Sequence, residues 1–556
     1  MMINVNVKSK LSLRRFYGKQ SLSVASLLFM VVVLVSSCLV SVFNAGVFPF
    51  VSGATSIVSD EAGLRSAVGA AVGVGSSVVI TLGANIVLTE PLCIPADANV
   101  TLTSDGSGGH FNLVGAADES TLVVENGGVL HLAGISVTHA NGVNGVGVIV
   151  FSKGSLVLLG GEILNNTGGC GVVNYGTFTM LDGMIFNNTV VADGVGGGVL
   201  NWGVFRLEGG VISDNSECGV FNAGNFTMLG GKIAGNLGSG VAIEYSGNFS
   251  MSGGAIYQNE AYAGGGVFIS SSYGAGNFTM SDGMIFNNTA TTGGGVYISG
   301  SSCKITGGTI ANNTASSGGG IHINGGTLEV SNSMISNNTA EYDGGGVYNY
   351  YGTFTMFNGE VFNNTAINGG GIFSYEGRFD LRGGKISSNT AIGNGGGVGV
   401  PNLNGLYYVY VSSGVVFANN SASKSYNRSS THDELYNSRI SSGITWTSPF
   451  TQGYNNYDIS YIFSSSDDSN GTNNNSPSPS KTPDSGSSTP KPSASSPIDD
   501  DGDSDLWRIA IVLALFIGLS LAVLFYYLPK KVNKQQQQRQ VTEDWIDSTT
   551  RRSLNG

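Results

Sequence analysis

The chain has little charge. Asp, Glu, Lys and Arg make up 11% of its 556 residues, against about 25% in an average soluble protein. Proline is also scarce, 12 residues beside 85 glycines, and glycine does not fall at every third place, which excludes collagen. The five cysteines include no CxxC pair, so neither a dense disulfide framework nor a zinc ribbon is expected. His110, His131, His139, His322 and His432 form no HExxH or other metal-ligand spacing. No GKS or GKT follows the glycine-rich stretches, which excludes a phosphate-cradling loop. What is present is 41% hydrophobic residues, too many for a wholly disordered chain. Abundant Gly, Asn, Ser and Thr suits a β-rich extracellular protein.

Charge is unevenly spread. Between residues 46 and 505 stand 13 cations and 34 acids, a net −21 within an overall −12. That balance argues against nucleic acid, which wants a basic face. It gives no support to binding anionic lipid.

Two apolar segments set the topology. Residues 22–43 follow Lys8, Lys10, Arg14, Arg15 and Lys19, the layout of a signal peptide. Residues 1–45 are read as that signal, with cleavage after Ala45 or Ala54, or as an N-terminal anchor. The second segment, 509–528, is twenty apolar residues, enough to span about 30 Å of bilayer as a helix. Five aspartates between 499 and 505 precede it; Lys530, Lys531, Lys534 and Arg539 follow it. The positive-inside rule puts the tail, 529–556, in the cytoplasm and the rest outside. Residues 464–504 are rich in Ser, Pro and Asp and read as a disordered stalk. The expected localisation is a cell membrane, single-pass, with membrane lipid as one partner.

A repeat fills the middle. Ten anchors (Ile163, Ile185, Ile212, Ile233, Ile256, Ile285, Ile310, Ile335, Val361, Ile386) are spaced by about 25 residues on average, a solenoid period. Seven and five residues before every anchor the sequence is apolar, from Leu156 and Leu158 to Phe379 and Leu381; that separation of two is strand periodicity. Three residues after it stands asparagine every time: Asn166, Asn188, Asn215, Asn236, Asn259, Asn288, Asn313, Asn338, Asn364 and Asn389. The repeat lacks the long helix-forming runs of a helical solenoid and is too short for a propeller blade. The fold class is all-β: a right-handed parallel β-helix over 56–463, with Phe on Phe, an asparagine ladder at one turn, and glycine at turns. Residues 56–463 would make about 16 coils, a rod of roughly 75 Å. Ser59 is the expected N-cap of a short helix carrying Leu64, Val68 and Ala71, which covers the open end.

The stretch Gly283-Met284-Ile285-Phe286-Asn287-Asn288-Thr289-Ala290 resembles the repeats of polymorphic outer-membrane proteins. More broadly the chain resembles adhesin-like proteins of the pectin-lyase-like β-helix superfamily, over roughly 56–463. Polymorphic membrane proteins end in an outer-membrane β-barrel; this chain has one apolar segment instead. The resemblance implies a surface-displayed, adhesin-like or envelope role without catalysis. Superfamily lyases pair Ca²⁺-binding carboxylates with an Arg or Lys base, and its hydrolases cluster aspartates. Here Arg206, Lys232, Lys304, Arg378, Arg382 and Lys385 are scattered among isolated acids, so no catalytic, cofactor or metal site is assigned. A surface polysaccharide lyase or hydrolase and a passive spacer are the alternatives.

Cys170 and Cys218 fall two coils apart, roughly 9.6 Å, beyond disulfide reach; Cys303 replaces a core Phe, and inert thiols are expected. Fourteen N-x-S/T sequons are glycosylation candidates: Asn99, Asn165, Asn187, Asn225, Asn248, Asn277, Asn287, Asn312, Asn337, Asn363, Asn419, Asn427, Asn470 and Asn474. The competing reading is that NNT is good turn chemistry. The longest repeats place contact loops near 190–194 and 270–276. Possible partners are cell-surface glycans or proteins.

Overall fold

The structure is a computed structural model that describes residues 55–104, 110–190, 196–424, 441, 444–447 and 457–462. The segments read as signal, stalk, membrane helix and tail lie outside these residues, as do Asn427, Asn470 and Asn474. Among the described residues no helix is long and apolar enough to cross a membrane.

Strands of four residues or so repeat along the chain and pair in parallel with the equivalent strand of the next repeat. The result is a parallel β-solenoid. Its first sheet has 25 strands, its second 14 and its third seven. In a complete coil, Asn277–Phe286 belongs to the first sheet, Thr289–Thr292 to the third and Val296–Ser299 to the second. The second sheet runs from Leu92–Ile94 to Ile459–Tyr461. Fourteen strands make about 13 turns rather than 16, and a rod nearer 62 Å. The shortfall has two sources: residues 55–91 form the first strand, the cap helix and opening strands before the second sheet begins, and 58 residues separate its last two strands, Val398–Val400 and Ile459–Tyr461.

Register holds residue for residue. Leu156 pairs with Phe178, Phe178 with Phe205, Phe205 with Phe226, and so on through Cys303 to Phe379. Anchors pair likewise, Ile163 with Ile185 through to Ile386 with Phe417. These columns are fully buried. Phe178, Phe205, Phe226, Phe249 and Phe278 stack nearly parallel, centroids 4.6 to 5.0 Å apart. The spacing is that of the strands themselves, so each ring adds contact with the next beyond its area burial.

The asparagines form a continuous ladder. Each Nδ2 donates to the Oδ1 of the next coil at 2.8 to 3.1 Å, from Asn166 to Asn420. Each backbone N–H donates to that same oxygen, as Asn288 does to Asn313 at 3.0 Å. From Asn188 onward the other amide hydrogen goes back to an anchor carbonyl, as from Asn313 to Ile285. Those amides are thus saturated, which a buried polar side chain requires. His139 heads the ladder, Nδ1 2.7 Å from Asn166 Oδ1 and Nε2 2.7 Å from the Glu119 carbonyl. Asp458, its carboxyl pushed up by burial, accepts from Asn420 Nδ2 at the other end.

Glycine just before the second sheet follows from this packing. A Cβ on Gly295 would sit 2.9 Å from Ile310 and 3.0 Å from Asn313 Nδ2. Anchor, ladder and glycine therefore form one unit.

Helix α1, Glu61–Ala70, lies over the first coils with Leu64 and Val68 buried. Its N-cap is Asp60, not Ser59. Asp60 has the extended backbone of a cap and accepts the Gly63 N–H at 2.7 Å.

Candidate functional site

The solenoid presents two contrasting outer surfaces. Every ion pair among the described residues lies on the cap helix or on and beside the first sheet: Arg65 with Glu61 and Glu90, Arg206 with Glu208, Lys304 with Glu329, Arg378 and Arg382 with Asp380, and Lys385 with Glu360. Five of the six cations that look scattered in sequence are paired there. The pairs of Arg206 and Lys304 are exposed and contribute little each; Asp380 is buried between its two arginines.

The second sheet carries rings instead. Its outward column reads Phe268, Tyr297, His322, Tyr348 and Phe373 in five consecutive coils. Neighbouring rings lie 4.7 to 5.8 Å apart. Tyr350, Tyr351 and Tyr375 extend this group at the following corner, 4.5 to 5.6 Å from one another. Nearer the N-terminus Trp202, Tyr245 and Tyr273 form a second group, with Tyr245 5.2 Å from Trp202 and 4.9 Å from Tyr273. Ala223 occupies the coil between Trp202 and Tyr245, and its small side chain lets the two rings meet across it. Tyr273 comes from the 270–276 loop. Burial pushes the Tyr348 phenol up and lowers His322 to about 4, so both are neutral at pH 7.

One corner of this face is strained. After the second-sheet strand, four consecutive coils place Gly300, Gly325, Tyr351 and Glu376 at φ of 59, 69, 52 and 51°. The N–H of Gly300, Gly325 and Tyr351 each donates to the next coil's carbonyl, at 2.9 to 3.0 Å. The backbone is the same; only the side chain differs. Tyr245 stands at φ 51° beside Ser246 at 63°. A bulky residue in this region costs about 1–3 kcal/mol. Each ring contact returns about 0.5–1.5 kcal/mol; Tyr245 makes three, with Trp202, Phe221 and Tyr273, and Tyr351 makes two, with Tyr350 and Tyr375. Strain and ring packing are of similar size, and Tyr245 and Tyr351 remain 42% and 51% exposed.

The first sheet offers the alternative, a shallow groove of about 550 Å³ lined by Asp282, Asn332, Asn358, Glu360 and Lys385 among others. Lys385 at 2.7 Å and Ser387 at 3.0 Å bond Glu360 and hold it below the usual carboxylate range. Glu360 is therefore ionised and occupied, a poor general acid. Among the described residues no group of three or more His, Cys, Asp or Glu could hold a metal ion.

No disulfide links the described cysteines. Burial raises the Cys170 and Cys218 thiols to about 12 and Cys303 further, so thiolate chemistry is suppressed. The seven NNT or NNS sequons at the ladder corner have a structural account. Their first asparagines, such as Asn287, Asn312 and Asn337, take φ of 52 to 57°, which asparagine tolerates best after glycine. The second asparagine is the ladder rung, and the Thr opens the third sheet in the later coils. Sequence reasoning missed a second buried ladder, Asn174 to Asn201 to Asn222, at 2.8 and 2.7 Å. The signal is there as V-x-N-x-G in three successive repeats.

No protein-family model, no curated protein and no solved structure matches the chain. The functional reading rests on its own geometry.

Proposed function

We propose that this is a membrane-anchored, surface-displayed β-solenoid that acts as a non-catalytic, adhesin-like binding protein. The reading takes the coil hand as right-handed, as parallel crossovers almost always are, in keeping with the pectin-lyase-like resemblance. It takes 1–45 as signal, 464–504 as stalk and 509–528 as the single membrane helix, which would display the solenoid outside the cell. One observation carries the binding role: Trp202, Tyr245, Tyr273 and Tyr351 are exposed at the corner that follows the second sheet, while the ion pairs among the described residues lie on the cap helix and the first sheet. Exposed aromatic clusters of this kind mark interaction surfaces.

The test is attachment. Cells displaying the full chain are compared with cells displaying a variant lacking 271–275. The expected result is saturable attachment to other cells or coated surfaces, weakened by the deletion, while protease applied outside removes the solenoid. Attachment no better than undisplayed cells, or a solenoid protected from outside protease, overturns the reading. Release of sugar products from an added polysaccharide would overturn the non-catalytic part.

A further inference from the structure

The aromatic face has a finer pattern. Tyr245 and Tyr351 each hold a left-handed backbone, and each has a carboxylate beside it. Glu244 precedes Tyr245 in sequence. Glu376 occupies the same corner one coil beyond Tyr351, and its carboxylate acts on the Tyr351 phenol. A left-handed tyrosine with a glutamate close by thus occurs twice, in two different arrangements, four coils apart: the strands concerned are Val241–Ile243, Val267–Ser270, Val296–Ser299, Ile321–Asn324 and Val347–Tyr350. Four coil steps are about 19 Å. Between the two positions the corner carries Ser271, Gly300 and Gly325. A Cβ at Gly325 would meet nothing within 4 Å, whereas one at Gly300 would lie 2.3 Å from the Ser271 hydroxyl, so the corner is open at Gly325.

The ring contacts of Tyr245 and Tyr351 about offset their backbone strain, so each tyrosine gains little net stability inside the chain. Its half-exposed face is available outside. An aromatic face attracts the positively polarised C–H bonds of a flat ligand laid on it. A carboxylate alongside accepts hydrogen bonds from hydroxyl groups. Ring face plus hydroxyl acceptor is what a pyranose needs. One coil rises about 4.8 Å, close to the length of one sugar in an extended chain. The charge also discriminates. Glu244 and Glu376 flank the rings, no cation pairs with them among the ion pairs described, and the region from 46 to 505 has net charge −21. That field repels polyanions.

We propose that the face from Tyr245 to Tyr375 is a glycan track: it binds a neutral, extended polysaccharide lying along the solenoid axis, with Tyr245 and Tyr351 as stacking platforms and Glu244 and Glu376 as hydroxyl acceptors. This rests on the adhesin-like reading above and names its ligand class. A proline-rich peptide, which also docks on aromatic rows, is the rival occupant.

The experiment is affinity electrophoresis of the purified full chain in detergent, through native gels cast with soluble mixed-linkage β-glucan, with polygalacturonate, or with neither. Retardation by β-glucan alone is expected. Tyr351→Gly and Tyr245→Gly each weaken it about 3- to 10-fold, the double variant abolishes it, and Glu376→Gln weakens it about 2- to 5-fold. Glycine takes this backbone without strain, and Gly300 and Gly325 already use it, so both variants stay folded, checked by a melting temperature within a few degrees of the wild type, and lost retardation cannot be put down to unfolding. Four results overturn the proposal: no retardation by β-glucan, retardation indifferent to both tyrosines, equal retardation by polygalacturonate, or displacement of the glucan by a soluble proline-rich peptide. If cells displaying the chain still attach while the gel shows no retardation, the glycan track fails and the adhesin-like reading stands. Loss of both ends both.

Discussion

Two corners of the same coil obey different rules. At the corner after the anchor, ten successive repeats carry asparagine, and each Asn completes the same set of hydrogen bonds. At the corner after the second sheet, one backbone conformation is filled by glycine, glycine, tyrosine and glutamate in turn. The first corner is buried, so stacking leaves one residue that satisfies it. The second faces out, so the backbone alone constrains it. Where residue choice follows the backbone, the residue serves the fold. Where it opposes the backbone, as at Tyr351, ring contacts within the chain or a contact outside it must offset the strain.

The largest expected effect breaks the buried corner. Asn313→Leu removes the acceptor of the Asn288 N–H and Nδ2 and the donor to the Ile285 carbonyl and Asn338 Oδ1. Several buried groups lose partners at about 1–3 kcal/mol each, so a loss of about 3–5 kcal/mol is expected. Guanidinium denaturation would read it as a lower midpoint, and hydrogen exchange should show the Asn288 amide opening first. A loss under 1 kcal/mol would mean the ladder is a by-product of strand stacking.

The next effect separates the two faces by pH. His322 sits in the outward column, 7% exposed, with Nδ1 lacking a partner. Burial takes it from 6.5 to about 4. The folded state therefore binds its proton less readily than the unfolded state. Stability is complete above pH 6.5 and falls as pH drops from 6.5 toward 4, by about 3 kcal/mol at most. Nearby Asp343, raised by burial, works in the opposite sense. Comparing His322→Phe with the wild type cancels that contribution: the variant should lose less on acidification, measured as melting temperature at pH 7 and pH 4.5. Parallel curves would show that His322 is solvated.

The core stack is more forgiving than the ladder. Phe249 lies between Phe226 and Phe278 at 4.6 and 5.0 Å, yet the same column accepts Leu156 and Leu328. Phe249→Leu should cost about 1–1.5 kcal/mol, well below the rung substitution. A larger loss would place ring stacking above hydrogen bonding in this core.

The same contrast decides what could be read from the chain. The solenoid, its inward columns and the asparagine at the turn were legible because stacking repeats one environment ten times, and repetition is visible in sequence. The cap shifted by one residue because Ser59 and Asp60 are both good caps, and only the extended backbone at Asp60 separates them. The turn count came out high because a fixed 25 residues per coil was applied to the opening segment and to the long interval between Val400 and Ile459 as well. The aromatic face was not legible. Its rings come from strand positions, corners and the 270–276 loop, at differing offsets from the anchors, and only parallel register lines them up. Nor could the left-handed backbone of Tyr351 be seen, since its neighbours in space are 25 residues away in sequence.

The smallest effect sharpens the comparison most. Lys153 stands at φ 62° in an exposed corner after the second sheet, before Gly154. It has the backbone strain of Tyr351 without an aromatic ring. Lys153→Gly relieves about 1–3 kcal/mol of strain and adds about 0.5–1 kcal/mol of chain entropy cost. A net gain of about 0.5 kcal/mol is expected, read as a melting temperature raised by a degree or two, with glucan retardation unchanged. Set beside Tyr351→Gly, it separates backbone from ring. If both variants gain stability and only the tyrosine variant loses retardation, the ring is held for an external contact. If Lys153→Gly gains while Tyr351→Gly loses stability, the contacts of Tyr351 with Tyr350 and Tyr375 outweigh its strain, and the tyrosine belongs to the fold like the asparagine rung.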